Sequence, residues 1–167
     1  MKDITVITTG GTIEKTYDEH NGALSNQQSI FSKIQATLRL PGVNINQHNV
    51  IFKDSLDMTD SDREIILDIA RQAMNKSDAI IILHGTDTLE LTGKLLYQEI
   101  PTPKCPIIFT GAMRPYEFRD SDASQNVIEA LFAAVLVEPG IYVTMHNRLL
   151  SFPGVKKDRD KLTFIQE

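Results

Sequence analysis

Several things are scarce in this sequence, and each scarcity removes a class of function. There is one cysteine, Cys105, among 167 residues, so an internal disulfide is impossible. Cys105 lies between Lys104 and Pro106 at the mouth of an apolar run. No neighbour there lowers a thiol pKa, so a semi-buried spectator is expected rather than a nucleophile. Basic residues are not in excess: 17 Lys and Arg against 22 Asp and Glu leave a net charge of −5. That argues against a nucleic-acid partner or an anionic membrane surface. No apolar stretch approaches the ~20 residues of a membrane span. The first residues enter a strand directly, without a charged-then-apolar leader, so a reducing cytoplasm is the expected location. G-x-G-x-x-G is missing, and no G-K-[ST] follows a glycine turn, so neither a dinucleotide fingerprint nor a nucleotide-phosphate loop is present. His20, His48, His84 and His146 are scattered and C-x-x-C is absent, so neither metal nor cofactor is expected. No internal repeat, linker or low-complexity segment is found.

What is present reads as an ordinary globular chain, 41% hydrophobic and 23% charged. Its length favours one domain, 1–167, with a full core. Residues 3–9 form a β-branched strand, followed by a polar stretch, 14–26, suited to a mobile surface loop. A helix is expected over about 28–40, with Ile30, Phe31, Ile34 and Leu38 on one face and Pro41-Gly42 as its stop. Val50-Ile51-Phe52-Lys53 reads as a short strand. Ser61-Asp62-Arg63-Glu64 has capping-box spacing ahead of a helix running to Lys76. A strand at 79–83, a helix at 88–99, a strand at 106–110, a helix at 122–137 and a strand at 141–145 follow. In the 122–137 helix Val127, Ile128, Leu131, Phe132 and Val135 are expected to face inward. The tail from Arg148 to Glu167 is charged, with short apolar runs at 149–150 and 162–164.

Strands alternating with helices imply a doubly wound α/β fold, a mostly parallel sheet with helices on both faces. The flavodoxin-like order 2-1-3-4-5 places the switch point between the first and third strands. Right-handed crossovers then gather the strand-end loops on one edge. Thr12, Ser55, Thr86, Asp87 and Ala112 are expected around one crevice there.

Two of those strand ends share a design. Ile80-Ile81-Ile82-Leu83 stops at His84-Gly85-Thr86-Asp87, and Ile4 to Thr9 stops at Gly10-Gly11-Thr12. Glycine removes side chains where a ligand approaches the backbone, and the threonine leaves a hydroxyl there. Each turn alone is more readily read as structural: a glycine turn with a capping or turn-stabilising threonine at Thr12, and a helix N-cap at Thr86-Asp87. His84, at a buried strand end, is expected to be a hydrogen-bonded structural histidine. A threonine hydroxyl is a poor nucleophile until a base accepts its proton. No histidine is obviously placed for this, which leaves lysines, among them Lys156-Lys157 in the tail, otherwise read as a solvated pair. A lysine becomes a base at neutral pH only when desolvated, and a nearby carboxylate opposes that.

Thr9-Gly10-Gly11-Thr12-Ile13, Asp54-Ser55-Leu56-Asp57-Met58, His84-Gly85-Thr86-Asp87-Thr88 and Gly111-Ala112-Met113-Arg114-Pro115 occur in that order. Ser121-Asp122 with Asn126, and Val155-Lys156-Lys157, follow. With these runs the chain resembles the bacterial-type L-asparaginases, the asparaginase/glutaminase family, over that family's N-terminal domain. The resemblance implies hydrolysis of a side-chain amide through a threonine, without metal or cofactor. It implies Thr12 as first nucleophile, Tyr17 as the tyrosine that helps activate it, and Thr86, Asp87 and Lys157 as a second triad for proton transfer. Lys156 is the neighbouring alternative for the lysine. Ser55 then binds a substrate α-carboxylate and Asp87 an α-ammonium, while backbone groups at Gly85 and Ala112 hold the carbonyl oxygen. Homo-oligomers, dimers or tetramers, are implied as well.

The chain departs from that pattern in three places. The resemblance covers only the N-terminal domain of longer members, and a small single-domain member is the expected reading. Glu14 stands where a small residue is usual and Ala123 where glycine is usual, both expected close enough to the crevice to change selectivity. Three functions are compatible with these residues: a small amidohydrolase acting on asparagine or a related amide, a non-catalytic amino-acid-binding module or subunit, and a deamidating subunit acting on a larger substrate such as an amidated nucleic-acid adduct.

Overall fold

A computed structural model describes residues 1–167. The sheet forms around the run at 79–83. Ile80, Ile81, Ile82 and Leu83 are all fully buried, and they alternate between two cores. Ile80 and Ile82 belong to one, Ile81 and Leu83 to the other. A strand covered on both faces can be continuously apolar, and each such side chain contributes about 1.5–3 kcal/mol by leaving water.

This strand, β5 (Ala79–Leu83), lies at the centre of a six-stranded sheet. In chain order the others are β1 (Lys2–Gly10), β4 (Val43–Lys53), β6 (Ile107–Thr110), β7 (Ile141–Thr144) and β8 (Leu149–Ser151). The order is β4-β1-β5-β6-β7-β8. The first five run parallel and β8 antiparallel. This is the expected 2-1-3-4-5 arrangement with one antiparallel edge strand added, and it puts the switch point between β1 and β5. One face packs against helices α2 (Asp60–Ala73) and α3 (Leu89–Glu99), the other against α1 (Phe31–Gln35) and α4 (Ala123–Leu136).

Several segments differ from the sequence reading. The helix expected over 28–40 is one short turn, α1. Thr37 Oγ1 donates to the Ile34 carbonyl at 2.8 Å, and such local side-chain bonding competes with helix continuation. The strand expected at 50–53 starts seven residues earlier, at Val43. Its Asn, Gln and His residues lie on a largely solvated edge strand, so their low strand preference hid it. The polar stretch 14–26 holds a hairpin, β2 (Thr16–Asp18) with β3 (Ala23–Ser25). The Asp18 carboxylate fixes its turn by accepting from His20 N at 2.9 Å and Asn21 Nδ2. The capping box of α2 is Thr59 with Asp62, two residues before the expected start. In α4, Val127 and Leu131 face inward, but Ile128, Phe132 and Val135 are exposed. Asn126, Ala123, Ala130 and Ala134 take the inner face instead. The tail is a second hairpin, β9 (Val155–Asp158) with β10 (Thr163–Gln166), and Phe164 anchors it in the core. No helix is long and apolar enough to cross a membrane.

Candidate active site

Glycines let the strand-end turns touch. A Cβ on Gly11, whose φ is +80°, would lie 2.3 Å from the Gly85 Cα. One on Gly85 would lie 2.6 Å from the Ser55 Cβ, and one on Gly111 3.3 Å from the Thr86 side chain. The turns after β1, β4, β5 and β6 therefore meet at close range. Thr12, Ser55, Thr86 and Ala112 are carried on them.

The β9–β10 hairpin brings the tail to this point. Strand alternation puts Val155 and Lys157 on one face and Lys156 on the other. Val155 packs in the core, and Lys156 is exposed and pairs with Glu167 at 3.0 Å. The Lys157 side chain is 10% exposed. Its Nζ donates to Thr86 Oγ1 at 2.7 Å and to Asp87 Oδ1 at 2.9 Å. Its backbone N–H donates to Glu90 Oε2 at 2.8 Å, which ties β9 to the first turn of α3.

Asp87 carries a second cation, since Arg159 Nη1 donates to the same Oδ1 at 2.8 Å. Burial works to raise the Asp87 carboxyl, but hydrogen bonds and charge from Lys157 and Arg159 outweigh it and hold the group below the ordinary range. Asp54 follows the same logic. Burial pushes it up, Lys15 at 2.6 Å and the Leu56 N–H pull it down, and the charge of Lys157 reaches it as well. A chain of alternating charges, Lys15, Asp54, Lys157, Asp87 and Arg159, thus runs past Thr86.

Ser55 is buried against Gly85. Its carbonyl accepts from Thr88 Oγ1 at 2.8 Å and its hydroxyl from Thr88 N at 3.3 Å. Asp122 holds the turn at Ala112 by accepting from Met113 N and Arg114 N, each at 3.0 Å. Asn126 Nδ2 and His146 Nε2 complete that carboxylate at 2.9 and 2.7 Å. His84 is fully buried, with Nδ1 at 2.8 Å from the Gly85 carbonyl and Nε2 at 2.8 Å from Thr92 Oγ1. Burial pushes it down to about 4, which suits a neutral structural histidine. Burial, then Asp78, pushes the Cys105 thiol up to about 11, so it is an inert thiol.

The structure does not bring Tyr17 into the cluster. Its ring is largely exposed, its hydroxyl lies beside Gly22 of its own hairpin, and its backbone N–H donates to Glu117 at 2.7 Å. Glu14 and Ala123 are fully buried; Glu14 lies against the turn that leads to Thr12, with Gly10 N donating to it at 2.9 Å. Lys15 and Arg159 escaped the sequence reading because each stands in a charged stretch that reads as solvated surface, and Glu90 because a lone carboxylate in the first turn of a helix reads as an ordinary exposed residue. The nearest cavity of size, about 400 Å³, is lined by Glu90, Phe152, Val155 and Lys156. It flanks the lysine strand, and neither Thr12 nor Thr86 is in its lining.

Lys157 Nζ is placed to exchange a proton with the Thr86 hydroxyl, and the turn that precedes Thr12 lies against the turn that precedes Thr86. Comparison with known proteins agrees on the family. The family model described as Asparaginase, N-terminal, matches residues 3–161. The L-asparaginase of Thermococcus kodakarensis is 33% identical over 154 residues, 91% of this chain and 46% of that protein. A glutamyl-tRNA(Gln) amidotransferase subunit of Methanococcus maripaludis is 32% identical over 149 residues, 88% of this chain and 35% of that protein. The thermostable T. kodakarensis enzyme structure superposes with a TM-score of 0.88 at 29% identity, over 98% of this chain and 51% of that one. L-asparaginase I from Vibrio cholerae gives 0.80 at 25% identity, over 99% and 51%. The chain thus spans about half or less of the length of these relatives.

Proposed function

Because the chain belongs to the asparaginase family, we propose that it is a threonine-dependent amidohydrolase that converts a side-chain amide, L-asparagine or a close relative, to carboxylate and ammonia. The observation that carries this reading is Lys157 Nζ seated between Thr86 Oγ1 and Asp87 Oδ1, next to the turn that bears Thr12. In this reading Thr12 attacks the amide carbon, an ester to Thr12 forms, and the C–N bond breaks. The nitrogen takes a proton and leaves as ammonia. Water then attacks the ester, with Thr86 and Lys157 passing protons and Asp87 holding Lys157 in place. Ser55 and Asp87 orient the substrate's carboxylate and ammonium, and backbone groups at Gly85 and Ala112 receive the developing oxyanion. Tyr17, on the β2–β3 hairpin, is the residue this reading assigns to helping activate Thr12. A homo-oligomer is part of the proposal, on the likeness to the family, and is checked by mass in solution.

Ammonia release from L-Asn, L-Gln and small amides tests the reading. Turnover is expected from the parent protein and not from a Thr12→Ala, Thr86→Val double variant. Equal rates in both would remove it. The amidotransferase subunits among the relatives favour a second reading, a subunit that keeps the amino-acid pocket and serves a larger complex. That reading expects calorimetric binding of L-Asp or L-Asn without hydrolysis, lost in Ser55→Ala.

A further inference from the structure

The chain buries one carboxyl with no cation beside it. Glu14 is fully buried, two residues after Thr12, and the triad chemistry does not use it. Its Oε2 accepts from Gly10 N at 2.9 Å and its Oε1 from Ser29 Oγ at 2.5 Å. The Ile30 backbone also donates to it. Ser29 in turn accepts from Gln47 Nε2 of β4 at 3.0 Å, and Asn26 Nδ2, three residues earlier, donates to the Gly11 carbonyl at 2.8 Å. Lys15, the nearest cation in sequence, is turned the other way to Asp54.

Gly10 and Gly11 have φ of +92° and +80°. Two successive glycines have little preference of their own for one conformation, so the aim of the next residue depends on what grips the turn. Here the Gly11 N–H donates to the Lys53 carbonyl of β4 at 2.8 Å and the Gly11 carbonyl accepts from Glu14 N at 3.2 Å and from the Asn26 amide, while the Gly10 N–H is held by the Glu14 carboxyl, which Ser29 braces. A buried carboxyl without a cation costs stability, so its position beside the turn points to a role there.

We propose that Glu14 is a positioning residue: through Ser29 and the Gly10 N–H it locks the Gly10-Gly11 turn and so fixes the direction of the Thr12 hydroxyl. This rests on the amidohydrolase reading. A carboxylate holds an N–H more tightly than a neutral acid does, so the lock tightens as Glu14 loses its proton. The segments packed on Glu14 offer the Gly10 and Ile30 amides, Ser29, Asn26 and Gln47, none of which titrates. Burial pushes Glu14 up to about 7, within reach of an ordinary assay.

The test compares Glu14→Ala, Glu14→Gln and Ser29→Ala with the parent. Glu14→Ala is expected to lower kcat at least tenfold, since misaimed reacting groups are costly, with KM little changed. Glu14→Gln keeps a neutral acceptor for the Gly10 N–H, as the protonated acid does, so its kcat is expected to lie above that of Glu14→Ala and near the value the parent has below pH 7. It is also expected to lack the rise of kcat through about pH 7 expected of the parent. If Glu14→Ala does not fold, Ser29→Ala carries the same expected kcat loss. Unchanged kcat in these variants, or equal losses in Ala and Gln forms with the parent's pH profile intact, would overturn the proposal. Hydrogen exchange reads it apart from turnover. The Gly10 amide is expected to exchange at least tenfold faster in Glu14→Ala and not in Glu14→Gln, with the rest of β1 unchanged. An unaltered Gly10 amide would overturn the lock even if no amide is ever hydrolysed, whereas loss of the lock without any turnover in the parent would instead remove the amidohydrolase reading.

Discussion

Lys156 and Lys157 are adjacent and chemically identical, yet one faces solvent and the other is packed against Thr86. Sequence brought both forward, and only strand parity separates them. Thr12, Ser55, Thr86 and Asp87 were legible because each follows an apolar run and a turn residue. Glu14 was visible only as an unusual residue in its motif, since nothing in a sequence shows that a carboxylate will point into the core. Its burial has a consequence for stability. The folded value is raised from 4.5 to about 7, so the protonated form favours the native state. The contribution is full below pH 4.5 and is lost as pH climbs to about 7, a change of about 3 kcal/mol. Glu14→Gln does not titrate there, so thermal melts are expected to show it gaining on the parent between pH 5 and pH 8. A constant difference would contradict this. His84 has the opposite sign. It is lowered from 6.5 to about 4, so its stabilising share is present above pH 6.5 and lost as pH falls through 4.

At the scale of elements, the strongly apolar runs were read correctly and the polar elements were not. β5 and β6 are continuous hydrophobic strands buried on both faces, and no helix pattern competes with them. β4 is an edge strand carrying Asn44, Asn46, Gln47, His48 and Asn49, and its pairing with β1, not its residues, makes it a strand. The β2–β3 hairpin owes its form to Asp18 side-chain bonds, which leave little periodicity to find. α4 is apolar on more than one side, so its inner face could not be picked from the sequence. The small residues on its inner face let it pack closely, leaving Phe132 outside. The α2 start is testable at this scale. Thr59 accepts from Asp62 N at 3.2 Å, and Asp62 accepts from Thr59 N at 2.8 Å. Thr59→Ala is expected to cost about 1 kcal/mol in denaturant unfolding, whereas Ser61→Ala, at the position the sequence spacing suggested, should cost close to nothing.

The molecule as a whole depends on a long closure. Thr86 and Lys157 are 71 positions apart in the chain, and their contact exists only because β8 reverses direction at the sheet edge and the β9–β10 hairpin then folds back over α3. Phe164 and Val155 in the core and Glu90 on the Lys157 backbone hold that return. The parallel order of the sheet was readable from element alternation, but this antiparallel return was not, because a charged tail with two short apolar runs reads as surface. The most direct test of the account replaces each tail lysine separately and measures ammonia release from L-asparagine. Lys157→Met is expected to slow it at least about a hundredfold, the usual worth of a positioned proton-transfer group, while Lys156→Met keeps a rate near the parent's. Equal losses at the two positions, or the larger loss at Lys156, would contradict the account.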